Sequence, residues 1–170
     1  MKKIIVATDF SPAAMNASNY AADMAVSINA GILLLHTYSV PVTYSEVPVA
    51  VNLDEIQKNT ENKLQLVKDE LSARTSNKIN IDIAVKVGSF YPELKLLCES
   101  LQPYAVIMGS QGSTAAERLF FGGHAVYAMK HLPWPLITVP SNASFTAIKK
   151  IGLACDFNKV VETTPVDQIK

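Results

Sequence analysis

The sequence is poor in cysteine and has no long apolar run. Its two cysteines, Cys98 and Cys155, lie far apart and form no CxxC pair, which excludes a disulfide framework and a zinc site built from thiolates. The N-terminal segment MKKIIVATDF has an apolar run too short for a signal peptide, and no apolar stretch is long enough to cross a bilayer. We therefore predict a cytoplasmic protein with no membrane partner.

The chain also lacks an excess of charge and any familiar catalytic pattern. Its 170 residues include 15 basic and 15 acidic side chains, so nucleic acid is not an expected partner. The sequence contains no GxSxG elbow, no nucleophile–base pair at recognisable spacing and no set of metal ligands. It therefore gives no positive indication of a catalytic residue or of a metal site.

What the chain does contain is a regular alternation of apolar runs and helical segments. The predicted strands cover residues 4–7, 32–38, 79–87, 104–108 and 135–139. The first predicted helix begins with Ser11 as N-cap and Pro12, and we expect Gly31 to end it. The other predicted helices run from a cap at Asp54 to Arg74, where Ile56, Leu64, Val67 and Leu71 form an apolar stripe, and over residues 92–101 and 124–132.

Alternation of this kind predicts right-handed crossovers and a parallel sheet. We expect a three-layer, Rossmann-like, doubly wound α/β domain of about five parallel strands, with helices on both faces, over residues 1–140. In such folds a ligand binds at the carboxyl ends of the strands, where the strand order reverses.

A short internal repeat follows this domain. KKIIVATDFS at residues 2–11 recurs as KKIGLACDFN at residues 149–158, with six of ten positions identical. We therefore interpret residues 141–148 as a linker and residues 149–170 as the start of a second, truncated repeat domain.

Four of the seven glycines lie in one stretch, MGSQGSTAAERLFFGG, which begins at Met108. It follows a predicted strand and leads into a predicted helix, so backbone N–H groups and a helix N-terminus could surround an anion. The same glycines could instead serve only a turn and a helix cap. The stretch matches neither the P-loop nor the GxGxxG fingerprint, and its spacing leaves both interpretations open.

The combination of motifs resembles the universal stress protein family. MGSQG followed nine residues later by GG, then a helix and HLPWPLITVP, is similar to the family's nucleotide motif, and VATDFS and ILLLHTY are similar to its first two strands. The resemblance covers residues 1–140 and implies binding of ATP or a related adenine nucleotide, with or without Mg²⁺. It implies regulation of the stress response through binding. A protein that holds a triphosphate could also hydrolyse it slowly, but the sequence shows no dedicated base.

The resemblance also implies where the nucleotide lies. It places Asp9 near the ribose and adenine, and the backbone of Thr37 at the adenine. The ribose and phosphate side is implied for Met108, Gly109, Gly112 and Gly122, with backbone N–H groups of Gly123 and His124. For Asp9 the alternative is a cap or turn at the start of the first helix, and we expect His36 to be a core residue.

Gly123 departs from the family pattern, which has serine or threonine there. The loss of that hydroxyl keeps open an alternative in which the chain is a dimerisation or interaction module without nucleotide; a small α/β nucleotide hydrolase is a further alternative.

Pairing through the last strand, Pro135–Val139, would give a homodimer or a pseudo-dimer with the second repeat.

Overall fold

In the part of the chain that the structure describes, five parallel strands form one sheet with helices on both faces. The computed structural model describes residues 2–39, 52–110 and 123–152. The strands are β1 (Lys2–Ala7), β2 (Ala30–Tyr38), β3 (Ile81–Val87), β4 (Ala105–Gly109) and β5 (Leu136–Val139), and the helices are α1 (Pro12–Ile28), α2 (Leu53–Arg74), α3 (Phe90–Leu101) and α4 (Gly123–His131). The strand order is β3-β2-β1-β4-β5 and every pairing is parallel, which confirms the predicted fold class.

The side chains of β1 divide between the two faces of the sheet. Ile4 and Val6 pack with α1 and α2, and Ile5 and Ala7 pack on the side of α3 and α4. All four are buried. Because successive side chains of a strand point to opposite faces, a continuous apolar run is what a sheet covered on both sides requires.

Helix α1 lies against the centre of the sheet because its inner face is small. Its buried positions are mostly alanines, including Ala17, Ala21 and Ala25, each with no exposed surface. The helix begins as predicted, since the Ser11 hydroxyl accepts a hydrogen bond from the Ala14 N–H at 3.2 Å and Pro12 occupies the first turn.

The end of α1 differs from the prediction. The helix ends at Ile28, and Asn29 takes the left-handed conformation, φ 51°, that we expected Gly31 to supply. Asparagine is one of the few residues besides glycine that adopts this conformation at moderate cost, so it can terminate the helix. Gly31 is instead a buried residue of β2, paired with Lys3.

The starts of α2 and α3 also differ from the predictions. Asn52 rather than Asp54 caps α2, because its Oδ1 accepts a hydrogen bond from the Glu55 N–H at 3.3 Å. Helix α3 starts at Phe90, before Pro92, because a proline is tolerated in the first helical turn. In the predicted stripe of α2, Leu64, Val67 and Leu71 are buried and Ile56 is half-buried. Within the described ranges no helix is both long and apolar enough to span a membrane.

The chain after β5 folds back onto α1. The Asn16 Nδ2 group donates hydrogen bonds to the carbonyl oxygens of Pro140 at 2.8 Å and Ala143 at 2.9 Å. The Phe145 ring meets Tyr20 edge to face, with centroids 5.3 Å apart. The first part of the predicted linker is therefore packed on the domain, whereas residues 146–152 are exposed.

Candidate functional site

The carboxyl ends of β1 and β4 lie side by side at the point where the strand order reverses. Ala7 pairs with Met108, so Asp9 and Ser110 follow at the same edge of the sheet. From β1 the chain continues to β2 on one side, whereas β4 lies on the other side of β1. This is the crevice in which doubly wound α/β proteins bind their ligands.

Asp9 belongs to a tightly bonded loop between β1 and α1. Its Oδ1 accepts a hydrogen bond from the Ser11 N–H at 2.9 Å, and the Thr8 hydroxyl accepts one from the Phe10 N–H at 3.0 Å. Asp9 is exposed, whereas Thr8 and Ser11 are buried. The carboxylate therefore has the turn role that we gave as the alternative, and its exposure leaves it accessible to a ligand as well.

Phe10 has an unusual backbone conformation in this loop. Its φ of 63° lies in the left-handed region, which a bulky residue rarely adopts. The ring packs on His36, with centroids 4.6 Å apart, and the Lys63 ammonium of α2 lies 5.9 Å from the Phe10 centroid. Contacts with β2 and α2 thus fix the loop that carries Asp9.

Thr37 lies beyond the last residue of β1. Ala7 pairs with Leu35, so β2 continues for three residues past the end of β1. The Leu35 carbonyl accepts a hydrogen bond from the Thr8 N–H on the β1 side. On the β3 side, the Ile32 N–H donates to the Asn80 carbonyl and the Tyr38 carbonyl accepts from the Gly88 N–H. Because the backbone groups of a strand alternate in direction, the N–H and C=O of Thr37 point to the β1 side.

The Thr37 N–H is not part of the β1–β2 ladder. Within the described part of the chain, no hydrogen bond joins it to Thr8. If the ladder continued, the Thr37 N–H would donate to the Thr8 carbonyl oxygen. That oxygen instead lies 2.7 Å from His36 Nδ1. His36 is thus hydrogen-bonded, but it is half-buried rather than the core residue that we expected. Its bond to Thr8 leaves the Thr37 N–H as a backbone donor directed into the crevice.

Gly109 is needed where β4 meets α1. A Cβ atom built on it would lie 3.0 Å from the Ala13 carbonyl carbon and 3.2 Å from the Ala14 nitrogen. These are backbone atoms at the start of α1, so no side-chain rotation can relieve the contact. Gly109 is the last residue of β4 rather than part of a turn, and the packing of α1 alone accounts for a glycine there. Its neighbour Met108 is buried, with 8% of its surface exposed.

Gly123 and His124 form the start of α4. Among the residues that the structure describes, a Cβ atom on Gly123 would meet nothing within 4 Å, and none of them makes a packing contact that accounts for this glycine. The exposed His124 ring meets Phe90 of α3 edge to face, with centroids 5.1 Å apart. The predicted site residues Gly112 and Gly122 lie outside the described residues.

A profile of the universal stress protein family matches residues 1–140. The chain belongs to the universal stress protein family. The match covers most of the 170 residues and ends one residue after β5, so it corresponds to the domain boundaries of the sheet.

Solved structures of universal stress proteins share the fold. One, in complex with cAMP, has a TM-score of 0.62 and 20% identity, with 82% of this chain and 97% of that chain covered. UspA from Lactobacillus plantarum has a TM-score of 0.60 and 18% identity, with 81% and 97% covered. A family protein from Arabidopsis thaliana with AMP bound has a TM-score of 0.55 and 18% identity, with 84% and 94% covered. No curated protein sequence matches the chain.

The structure therefore brings Asp9, Met108 and Gly109 to one edge of the sheet and extends Thr37 towards it. The sequence did not indicate the roles of Phe10 and His36. A signal was present, since His36 is a polar residue at the carboxyl end of an otherwise apolar strand and directly precedes Thr37. Among the described residues no group of His, Cys, Asp and Glu has the arrangement of a metal site.

Proposed function

We propose that this universal stress protein domain binds an adenine nucleotide at the carboxyl ends of β1, β2 and β4. The observation that carries the proposal is the Thr37 peptide group, whose N–H and C=O point past the end of β1. Adenine has an amino donor beside a ring-nitrogen acceptor, which is the complement of such a backbone pair. The relatives solved with cAMP and with AMP support this class of ligand.

The remaining predicted residues supply the ribose and phosphate side. Asp9 is accessible at the end of β1 and accepts hydrogen bonds, which suits ribose hydroxyls. The α4 N-terminus at Gly123 and His124 offers N–H groups that have no partner within the helix, and a positive helix dipole, to phosphates. We infer that ATP, with or without Mg²⁺, or a related adenine nucleotide is the ligand and that the protein regulates the stress response by binding rather than by turnover.

Isothermal titration calorimetry with ATP, ATP plus Mg²⁺, AMP and cAMP tests this proposal, with GTP as the control for base recognition. We expect adenine nucleotides to bind and GTP to bind more weakly. The Asp9→Asn variant keeps an oxygen acceptor for the Ser11 N–H but removes the charge, so it should lower affinity without altering the turn. Absence of binding by every adenine nucleotide at millimolar concentration overturns the proposal.

The second candidate function is an interaction module without nucleotide, and Gly123 is the observation that favours it. A hydroxyl donor to phosphate contributes about 1.5–3 kcal/mol, or about ten- to a hundredfold in affinity. Gly123→Ser adds that hydroxyl on a Cβ atom that has no described residue within 4 Å, and Gly123→Ala is the matched control. If wild type binds no nucleotide and only the serine variant does, the module is the correct function.

We also propose assembly through β5 and a location in the cytoplasm. Within the described residues only β4 pairs with β5, so the outer edge of Leu136–Val139 is open to a second copy or to a second repeat domain beginning near residue 149. Light scattering after size-exclusion chromatography measures the oligomeric state. A charged substitution, Ile137→Lys, at this half-buried position should convert a dimer into a monomer if β5 is the interface.

A further inference from the structure

We propose that His36 is a positioning residue for the nucleotide, because its ring keeps the Thr37 N–H out of the sheet and holds the loop that carries Asp9. The inference rests on the proposed function. It adds a residue that acts on the ligand through protein groups, at a position where the sequence indicated only a core histidine.

The first step is the hydrogen bond between His36 and Thr8. His36 Nδ1 lies 2.7 Å from the Thr8 carbonyl oxygen. A carbonyl oxygen can only accept, so Nδ1 carries the hydrogen and donates it. In a continued parallel ladder the same oxygen would accept from the Thr37 N–H, since the Thr8 N–H already donates to Leu35. The imidazole therefore replaces the next rung of the ladder.

The second step is the packing of the ring on the loop. Phe10 lies on the imidazole at a centroid distance of 4.6 Å and an interplanar angle of 35°. The Phe10 N–H donates to the Thr8 hydroxyl, and the Ser11 N–H donates to Asp9. The His36 side chain thus contacts both Thr8 and Phe10 of this loop. Phe10 has a left-handed conformation and therefore needs support from its surroundings.

Removal of the Nδ1–H donor has a defined structural consequence. The buried Thr8 carbonyl would lose its partner, and the Thr37 N–H is the backbone donor placed to replace it. The ladder would then lengthen by one rung and consume the group that we assign to adenine. Affinity for nucleotide would fall even though the protein stays folded.

The experiment compares two substitutions of His36. In His36→Asn the amide Nδ2 takes the place of Nδ1 and keeps the donor without the ring. In His36→Leu an apolar side chain fills space and provides no donor, and His36→Ala is a second donor-free variant should the leucine variant not fold. His131→Asn, which changes an exposed histidine at the end of α4, is the matched control.

We expect His36→Leu to bind AMP or ATP about tenfold more weakly than wild type and His36→Asn to recover most of that loss. In nucleotide-free protein, hydrogen exchange by NMR should show the Thr37 amide becoming more protected in His36→Leu. General loosening of the fold would make every nearby amide exchange faster, so this sign separates positioning from a merely structural role.

The other outcomes are distinguishable. Suppose that wild type binds nucleotide. If His36→Leu and His36→Asn then have the same affinity as each other, or if the Thr37 amide exchanges faster in His36→Leu than in wild type, the role of His36 is overturned and the proposed function stands. If wild type binds no adenine nucleotide, the proposed function fails and the role of His36 fails with it.

Discussion

Replacement of Gly109 by alanine should destabilise the protein in the absence of any ligand. The added Cβ would lie 3.0 Å from the Ala13 carbonyl carbon and 3.1 Å from its oxygen. Ordinary contacts of this kind are about 3.5–4.0 Å, so α1 or β4 must move by several tenths of an ångström. Both elements belong to the packed centre of the domain, where Ala13, Ala14 and Met108 are buried and have little space to adjust.

The cost follows from this overpacking. Insertion of one methyl group into a well-packed interior costs about 1–3 kcal/mol. For a chain of this size each kcal/mol lowers Tm by about 2–4 °C, so we expect a fall of about 2–12 °C. Gly123→Ala is the matched control, because within the described ranges its methyl group meets nothing within 4 Å. It should change the free energy of unfolding by no more than about 0.5 kcal/mol.

Equilibrium unfolding in urea, followed by circular dichroism on nucleotide-free protein, measures both variants. A lower midpoint at unchanged slope for Gly109→Ala, with Gly123→Ala near wild type, supports the packing role. If Gly109→Ala is as stable as wild type and loses only nucleotide affinity, the reasoning is refuted, since the glycine would then serve the ligand rather than α1.

Three further predictions concern the rest of the domain. Asn29→Ala should cost about 1 kcal/mol in thermal unfolding because alanine disfavours the left-handed φ of 51°, whereas Asn29→Gly should not. Lys3 donates a hydrogen bond that lowers the pKa of Asp82. The pair is partly exposed, so its contribution to the free energy of unfolding, below about 1 kcal/mol, should be present at pH 7 and decline as pH falls below about 4. Thermal unfolding of wild type and Asp82→Asn as a function of pH checks this, and a stability difference that persists at pH 2 would contradict it. Burial raises the pKa of the Cys98 thiol to about 11, so in a Cys155→Ser background a thiol reagent at pH 8 should label Cys98 only upon unfolding.

The order of strands and helices could be predicted because each buried strand is a continuous apolar run and each helix has an apolar stripe. Helix boundaries were less accurate where two residues compete for one role. Asn29 and Gly31 can both end a helix, and the sequence favours the glycine, yet β2 must begin at Ala30 to pair with Lys2. Pairing in the sheet decided between them, and pairing is a tertiary property.

The position of Asp9 at the crevice could be predicted from the order of the elements alone. A residue that follows a central parallel strand lies at the carboxyl edge whatever its neighbours are. The role of Gly109 depends on how closely α1 approaches β4, and the bond from His36 to Thr8 depends on where β1 leaves the sheet. Neither distance is encoded in local spacing, so the sequence could not reveal these roles.

Residues with a structural role and residues without one differ in how well they separate nucleotide binding from an interaction module. Asp9 caps a turn and Gly109 accommodates a helix, so both would be required in a domain that never binds a nucleotide. Loss of function therefore cannot distinguish a nucleotide site from a structural one when Gly109 is changed, or when Asp9 is replaced by a residue that cannot accept the Ser11 N–H. Thr37 and Gly123 are different, since among the described residues the Thr37 N–H has no acceptor in Thr8 and the Gly123 Cβ position is empty space. A change in nucleotide affinity on His36→Leu or Gly123→Ser, with stability followed in parallel, is consequently the measurement that decides whether the crevice is a binding site.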